Sequence, residues 1–399
     1  MTSPSMNTAA ARLAGEKADR LKALPPYLFV ELDKAKRRLE AQGHDVIDLG
    51  VGDPDLPTPP QMIDTLQRSA EDPVNHRYSF TEGLLPLRQA IADWYQKRFG
   101  VALDPATEIL PLLGSKEGIA HLPLALVNSG DVVLVPDPCY PPYRIGPLLA
   151  GAEVSSMPLE AEQEFLPDFG AISQRAARRA KLMVLNYPNN PTAAVATETC
   201  FQEAIQFAKE FQLVIAHDAA YSEIAFDGVR PMSFLQLPDA KEVGVEFHSL
   251  SKTYQMTGWR VGWVCGKASV IAALTQLKSN LDSGIFQPIQ YAAIEALHSG
   301  DEDLQRVIGI YQQRRDLLVA GLTEAGWPIP VPKASFYVWA PVPNGQPSIE
   351  FAARILETAH VVITPGRGFG EHGEGFVRMS LTVPTERLQT AIEWLSKAM

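Results

Sequence analysis

The sequence predicts an α/β fold: a large domain with a mostly parallel sheet flanked by helices, plus a smaller α+β domain. Three observations lead there. Between about residues 59 and 299, short β-rich apolar runs alternate with stretches of helical spacing, the pattern of a parallel sheet covered on both faces. Several of these runs end in polar residues, as an open α/β sheet presents side chains at its carboxyl edge. From Asp303 a charge-rich helical stretch leads into a tail of strands and helices without that alternation.

Leu28, Leu32, Ala35 and Leu39 recur at helical spacing up to Gly43, and 46–49 follows as a short strand. Residues 1–58 read as an N-terminal arm and part of the small domain, 59–299 as the large domain and 300–399 as the C-terminal small domain. In the large domain the strand candidates are 132–135, 182–185, 213–217, 245–250 and 261–265, with 198–211 a helix. Ile119, Leu122 and Leu126 mark another helix after Gly114, although Pro123 falls inside it. The stretch 303–325 forms a long link, 335–342 and 376–381 read as strands, and 349–358 and 385–397 as helices. Residues 365–370 read as a surface loop, with an active-site flap near Arg378 as the alternative.

At 399 residues and 46% hydrophobic, the chain can bury two cores, and a formal net charge of −11 argues against nucleic acid or an anionic membrane as partner. Cys139, Cys200 and Cys265 are too few and too scattered for a disulfide framework or a structural zinc site. No metal is expected, and a reducing cytoplasm fits. No stretch approaches the length of a transmembrane helix, and residues 1–13 lack the apolar core of a signal peptide.

The chemistry centres on Lys252, with Ser249 and Ser251 before it and Arg260 after it. An amine in that setting can join the aldehyde of pyridoxal phosphate while hydroxyls and a guanidinium hold the phosphate. Asp218 ends the apolar run 213–217, where it would pair with the cofactor's pyridine nitrogen or cap a helix. Tyr221 and Asn190, the latter in a Pro/Asn-rich turn, are candidates for hydrogen bonds to the ring's phenolic oxygen. Gly114, Ser115 and Lys116 open a helix whose amides suit a phosphate. Tyr140 is either a ring-stacking residue or a buried structural tyrosine. Arg378 lies in an apolar strand, where an unpaired guanidinium would be costly, so it should face an acidic residue or a ligand carboxylate. Gly52 would let a backbone amide approach that carboxylate.

Taken with Gly50-Val51-Gly52-Asp53-Pro54 and Val377-Arg378-Met379-Ser380, these segments in this order resemble the class I aminotransferases of the fold type I pyridoxal phosphate superfamily, from about residue 25 to the C-terminus. The resemblance implies Lys252 as the residue bonded to the cofactor, Asp218 on the pyridine nitrogen and Tyr140 on the ring face. It implies Asn190 and Tyr221 on the ring oxygen, and Ser115, Lys116, Ser249, Ser251 and Arg260 around the phosphate. Arg378 would bind the substrate α-carboxylate. Tyr78 matches a tyrosine lent to the neighbouring subunit's phosphate, which implies a homodimer with shared active sites. The implied reaction exchanges an amino group between an amino acid and a 2-oxo acid by a ping-pong route, with Lys252 moving the α-proton. Ala193 departs from the family's usual glycine at the end of Asn190-Pro191-Thr192.

Within the family, the segment 279–291 is similar to that of the LL-diaminopimelate aminotransferase and AspC-like group and contains no arginine. An uncharged pocket of Asn280, Ser283 or Gln287 would suit a substrate whose far end carries an ammonium and a carboxylate. Tyr27 matches the tyrosine that covers the substrate, or else anchors the N-terminal arm. The substrate expected is LL-diaminopimelate with 2-oxoglutarate, the alternatives being alanine or aspartate, or a β-lyase on the same scaffold. A DNA-binding regulator would need an added domain, and a nicotinamide dehydrogenase would need a Gly-x-Gly-x-x-Gly turn after an early strand.

Overall fold

In the computed structural model, residues 17–22, 24, 28–79 and 81–399 are described, so Tyr27 lies outside the described residues. The strands are β1 (Ile47–Asp48), β2 (Ile109–Leu112), β3 (Val132–Asp137), β4 (Glu153–Pro158), β5 (Ala180–Asn186), β6 (Val214–Asp218), β7 (Gly244–Ser249), β8 (Gly262–Gly266), β9 (Tyr337–Pro341), β10 (Val361–Val362), β11 (Thr364–Pro365) and β12 (Phe376–Ser380). Seven of them form one sheet in the order β2-β8-β7-β6-β5-β3-β4. Its pairs are parallel except those of β8, which runs against both β2 and β7.

The side-chain alternation of the strands explains why both faces of this sheet are covered. Leu134, Met183, Leu185, Ile215 and Trp263 point into a core shared with the helices Leu85–Phe99, Glu198–Phe211 and Gln287–His298. Their neighbours Val133, Val135, Leu182, Val184 and Ala216 point the other way, against the helices Ser115–Leu126 and Ala268–Lys278. Strands buried on both faces read as continuous apolar runs, which is why the predicted strands coincide with β3, β5, β6, β7 and β8 to within a few residues. The exception at a boundary matters: Leu250 does not extend β7 but opens the short helix Leu250–Thr253 that carries Lys252.

A second core joins Leu49, Tyr221, Phe336, Phe351, Val377 and Leu388, with β9, β11 and β12 antiparallel and β1 parallel to β10. The helix Glu302–Glu324 contributes Val307, Tyr311, Leu318 and Leu322 to it. From that helix the buried Arg314 makes paired bonds of 2.8 and 2.9 Å to Asp55, which anchors the loop after β1.

One buried charge lies beneath the sheet. Glu246 on β7 accepts from His217 (2.9 Å), Tyr95 (2.9 Å), Ser233 (2.8 Å) and the amide of Phe234 (2.8 Å). Burial pushes its carboxyl up, but these bonds, led by His217, outweigh it and hold it below the usual carboxylate range. Among the described residues, no helix is long and apolar enough to cross a membrane.

Ala193, which stands where the family has glycine, has φ +61°, in the left-handed region where a Cβ is disfavoured. Ala193→Gly should therefore stabilise the fold by roughly 0.5–1 kcal/mol, the relief of the left-handed strain less the extra chain entropy of glycine. Chemical denaturation checks this, and an unchanged or lowered midpoint would contradict it.

Candidate active site

Because β5, β6 and β7 are parallel and in register, their carboxyl ends deliver functional groups to one edge. Asn186 pairs with Asp218, and Asp218 with Phe247, level across the three strands. The Asn186 amide donates to the Asp218 carbonyl at 2.8 Å. The Asp218 carboxylate accepts from the Tyr143 hydroxyl at 2.7 Å and from the Ala220 amide at 3.2 Å. Burial pushes this carboxyl up, against the pull of Tyr143 and of His217 beneath it. A buried carboxyl left with raised proton affinity suits a protonated heterocyclic nitrogen better than it suits apolar surroundings.

At the last residue of β7, Ser249 caps the short helix by accepting from the Ser251 amide at 3.2 Å. That turn projects Lys252 back over the sheet edge, where its ammonium donates to the Gly52 carbonyl at 3.3 Å. Burial lowers the Lys252 pKa to about 8; Asp53 opposes the shift, while Arg260 and Arg378 add to it.

The helix Ser115–Leu126 begins at Gly114, whose φ is +80°. A Cβ there would lie 2.3 Å from Arg260 Nη2, so only glycine lets the guanidinium rest against the first turn. Arg260 is steadied by the carbonyls of Thr257 (2.9 Å) and Leu113 (3.4 Å). Amides of a helix start beside a guanidinium make a phosphate cradle.

Opposite, β12 carries Arg378, which is 1% exposed. It donates to Asn190 Oδ1 at 2.8 Å and to the Gly50 carbonyl at 2.6 Å, and its planar group lies 4.1 Å from the Tyr337 ring centre and 4.7 Å from that of Phe369. Asn190 thus spends its oxygen on Arg378, which leaves its amide as a donor. The Tyr337 hydroxyl meets that of Tyr221 at 3.3 Å. A Cβ on Gly52 would lie 2.1 Å from the Tyr337 hydroxyl, so a side chain there would displace the ring that packs on Arg378.

Together Lys252, Asp218, Tyr221, Asn190, Tyr140, Ser115, Lys116, Ser249, Ser251, Arg260, Gly52 and Arg378 line one cavity of about 330 Å³. Tyr78 does not reach it: the side chain is 88% exposed and borders a separate groove with Ser283 and Phe286. Within the single chain, Asn280, Ser283 and Gln287 do not line the cavity either. Asn280 instead bonds the Gln276 carbonyl at the end of the helix Ala268–Lys278, and Gln287 begins the next helix. Residues 365–370 are not a surface loop, because Phe369 is buried against Arg378 and its carbonyl accepts from the Cys139 amide at 2.9 Å. Sequence reasoning missed Tyr143, Asp53, Thr257 and Tyr337. Asp53 sits inside the motif Gly50–Pro54 and Tyr143 three residues after Tyr140, whereas Tyr337 is one aromatic on a core strand with no local signal.

An aldehyde-reactive amine, a buried acid, a phosphate cradle and a carboxylate-binding fork on one cavity fit pyridoxal phosphate and an amino acid. Residues 44–395 match the family described as aminotransferase class I and II. The LL-diaminopimelate aminotransferase of Moorella thermoacetica is 56% identical over 384 residues, covering 96% of this chain and 98% of that protein. The protein of the same name from Desulforudis audaxviator is 54% identical, covering 95% and 97%. Among solved structures, substrate-bound BacF from Bacillus subtilis superposes with a TM-score of 0.93 at 39% identity, covering 96% of this chain and 98% of that one. A Thermus thermophilus aspartate aminotransferase variant gives 0.89 at 28% identity, covering 96% and 100%. The chain belongs to the class I and II aminotransferases and is an enzyme that transfers amino groups with pyridoxal phosphate.

Proposed function

We propose that this enzyme takes the amino group from LL-diaminopimelate and passes it to 2-oxoglutarate, working in the cytoplasm as a homodimer with shared active sites. The observation that carries the substrate is the run of LL-diaminopimelate aminotransferases 51–56% identical to it over nearly their whole length. Exposed apolar side chains, with Tyr78 and Phe286 bordering one groove and Val74, Leu85 and Leu281 also exposed, support the homodimer, with Tyr78 reaching the phosphate bound by the second copy. In the same reading the chain divides into domains at residues 58/59 and 299/300.

Each residue then has a physical task. Asp218, held by Tyr143, pairs with the cofactor's pyridine nitrogen, and Asn190 and Tyr221 donate to its ring oxygen. Tyr140 covers a ring face. Ser115, Lys116, Ser249, Ser251 and Arg260 hold the phosphate. Arg378, packed against two aromatic rings, grips the substrate α-carboxylate with two of its guanidinium nitrogens and so fixes which Cα bond stands over the Lys252 amine. Bound pyridoxal phosphate supplies an electron sink for the electron pair left when the α-proton departs. Lys252 takes that proton from Cα and delivers it on the same face.

Three outcomes are expected. Mixed singly with the holoenzyme, LL-diaminopimelate should convert the cofactor's absorbance to that of the amine form faster than aspartate, alanine or glutamate; an inert LL-diaminopimelate overturns the substrate, and pyruvate released from a cysteine conjugate would point to a β-lyase. Lys252 is charged below about 8 and neutral above it, so apoenzyme should capture added pyridoxal phosphate faster as pH rises and level off above that value. A capture rate flat from about pH 6 to about pH 9 would contradict this role. Arg378→Lys, which keeps the charge but loses the fork, should lower kcat/KM about 100-fold while leaving cofactor affinity near that of the parent.

A further inference from the structure

Lys278, at the end of the helix Ala268–Lys278, has a side chain with 0% exposure. A lysine so buried needs partners. Its ammonium lies 3.1 and 3.3 Å from the two Glu117 oxygens, and 2.7 and 2.8 Å from those of Asp282. Burial pushes the Glu117 carboxyl up, but His121 and Lys278 outweigh it and hold the group below its usual range.

Each carboxylate fixes backbone that matters elsewhere. Glu117 Oε2 accepts from the Leu113 amide at 2.8 Å, immediately before the Gly114–Ser115 turn, and the Leu113 carbonyl accepts from Arg260. Asp282 Oδ1 accepts from the Gly284 amide at 2.8 Å. From Gly284 the chain runs through Ile285, whose carbonyl is bonded by the buried Gln290 amide at 2.7 Å; that amide also reaches Ser79 at 2.7 Å, next to Tyr78. The exposed Leu281 and Phe286 lie on this same segment.

We propose that Lys278 is a positioning residue that couples the phosphate cradle to the 279–286 segment at the subunit contact, so that cofactor binding and self-association reinforce each other. The proposal rests on the reading of the cradle and the homodimer given above. Without the ammonium, two part-buried carboxylates repel, one dragging Leu113–Ser115 and the other dragging 282–284. Arg378 and Asp218 are untouched, so the turnover of fully loaded enzyme should change least.

The test uses the full chain stripped of cofactor. Lys278→Met should weaken pyridoxal phosphate binding about tenfold or more, measured by equilibrium titration. In sedimentation velocity, added cofactor should tighten the dimer of the parent chain markedly and that of the variant little. Should Lys278→Met fail to fold, the triple change Lys278→Met, Glu117→Gln and Asp282→Asn removes the repulsion along with the charges and is expected to fold; having lost the ion pairs that join Leu113 to 282–284, it should still lose the cofactor-dependent tightening of the dimer, with a smaller loss of cofactor affinity. Parent-like cofactor affinity together with parent-like cofactor-dependent association in a folded variant overturns the proposal. Arg260→Leu separates the failures: if it leaves cofactor affinity unchanged, the cradle reading fails, and the coupling with it. A parent chain that stays monomeric with and without cofactor removes the subunit half along with the homodimer.

Discussion

Burying the Asp218 carboxylate costs free energy, and the sheet offsets part of that cost with the hydroxyl of Tyr143 and the amide of Ala220. The remainder shows as a raised proton affinity, which a cationic ring nitrogen would satisfy. That one constraint sets the rest of the cavity. It requires strands that end level, so that Asn186, Asp218 and Phe247 share a row, and a strand β7 that stops at Ser249 so the next turn can bring Lys252 back over the edge.

The other wall comes from the second core. Arg378 keeps its orientation because Tyr337 and Phe369 pack on its faces and because Asn190 and Gly50 accept from its ends. Asn190 lies in the turn that follows β5 of the large sheet and Gly50 in the loop after β1, so the guanidinium is held by both parts of the chain at once. The Asp55–Arg314 pair anchors that loop from the far side. In the proposed reading, the substrate carboxylate and the proton-transferring amine are thereby placed by different cores, and the alignment of one against the other is a packing property of the whole fold.

Much of this was legible in the sequence, for identifiable reasons. Strands buried on both faces announce themselves as apolar runs, and residues at their carboxyl ends follow directly, which is how Asp218 could be named, while Lys252 was named from the serines and the arginine around it. The antiparallel direction of β8 was not legible, because direction is decided by pairing with β7 and β2 rather than by local pattern. Tyr337 was invisible for a similar reason: its role exists only through Gly52 and Arg378, far away along the chain. Asn280 and Gln287, expected to line a pocket from the resemblance of their segment and its lack of arginine, serve helix ends within the single chain. Lys278 has no local signal in the sequence, and only its burial reveals it between two acids.

The most direct measurement is borohydride treatment of the protein loaded with pyridoxal phosphate, followed by peptide mapping of the trapped covalent link. The account predicts that the cofactor's mass is found on the peptide carrying Lys252 and that the link is lost in Asp218→Ala. Trapping on Lys116 or another lysine, or undiminished trapping at Lys252 without the Asp218 carboxylate, would contradict it.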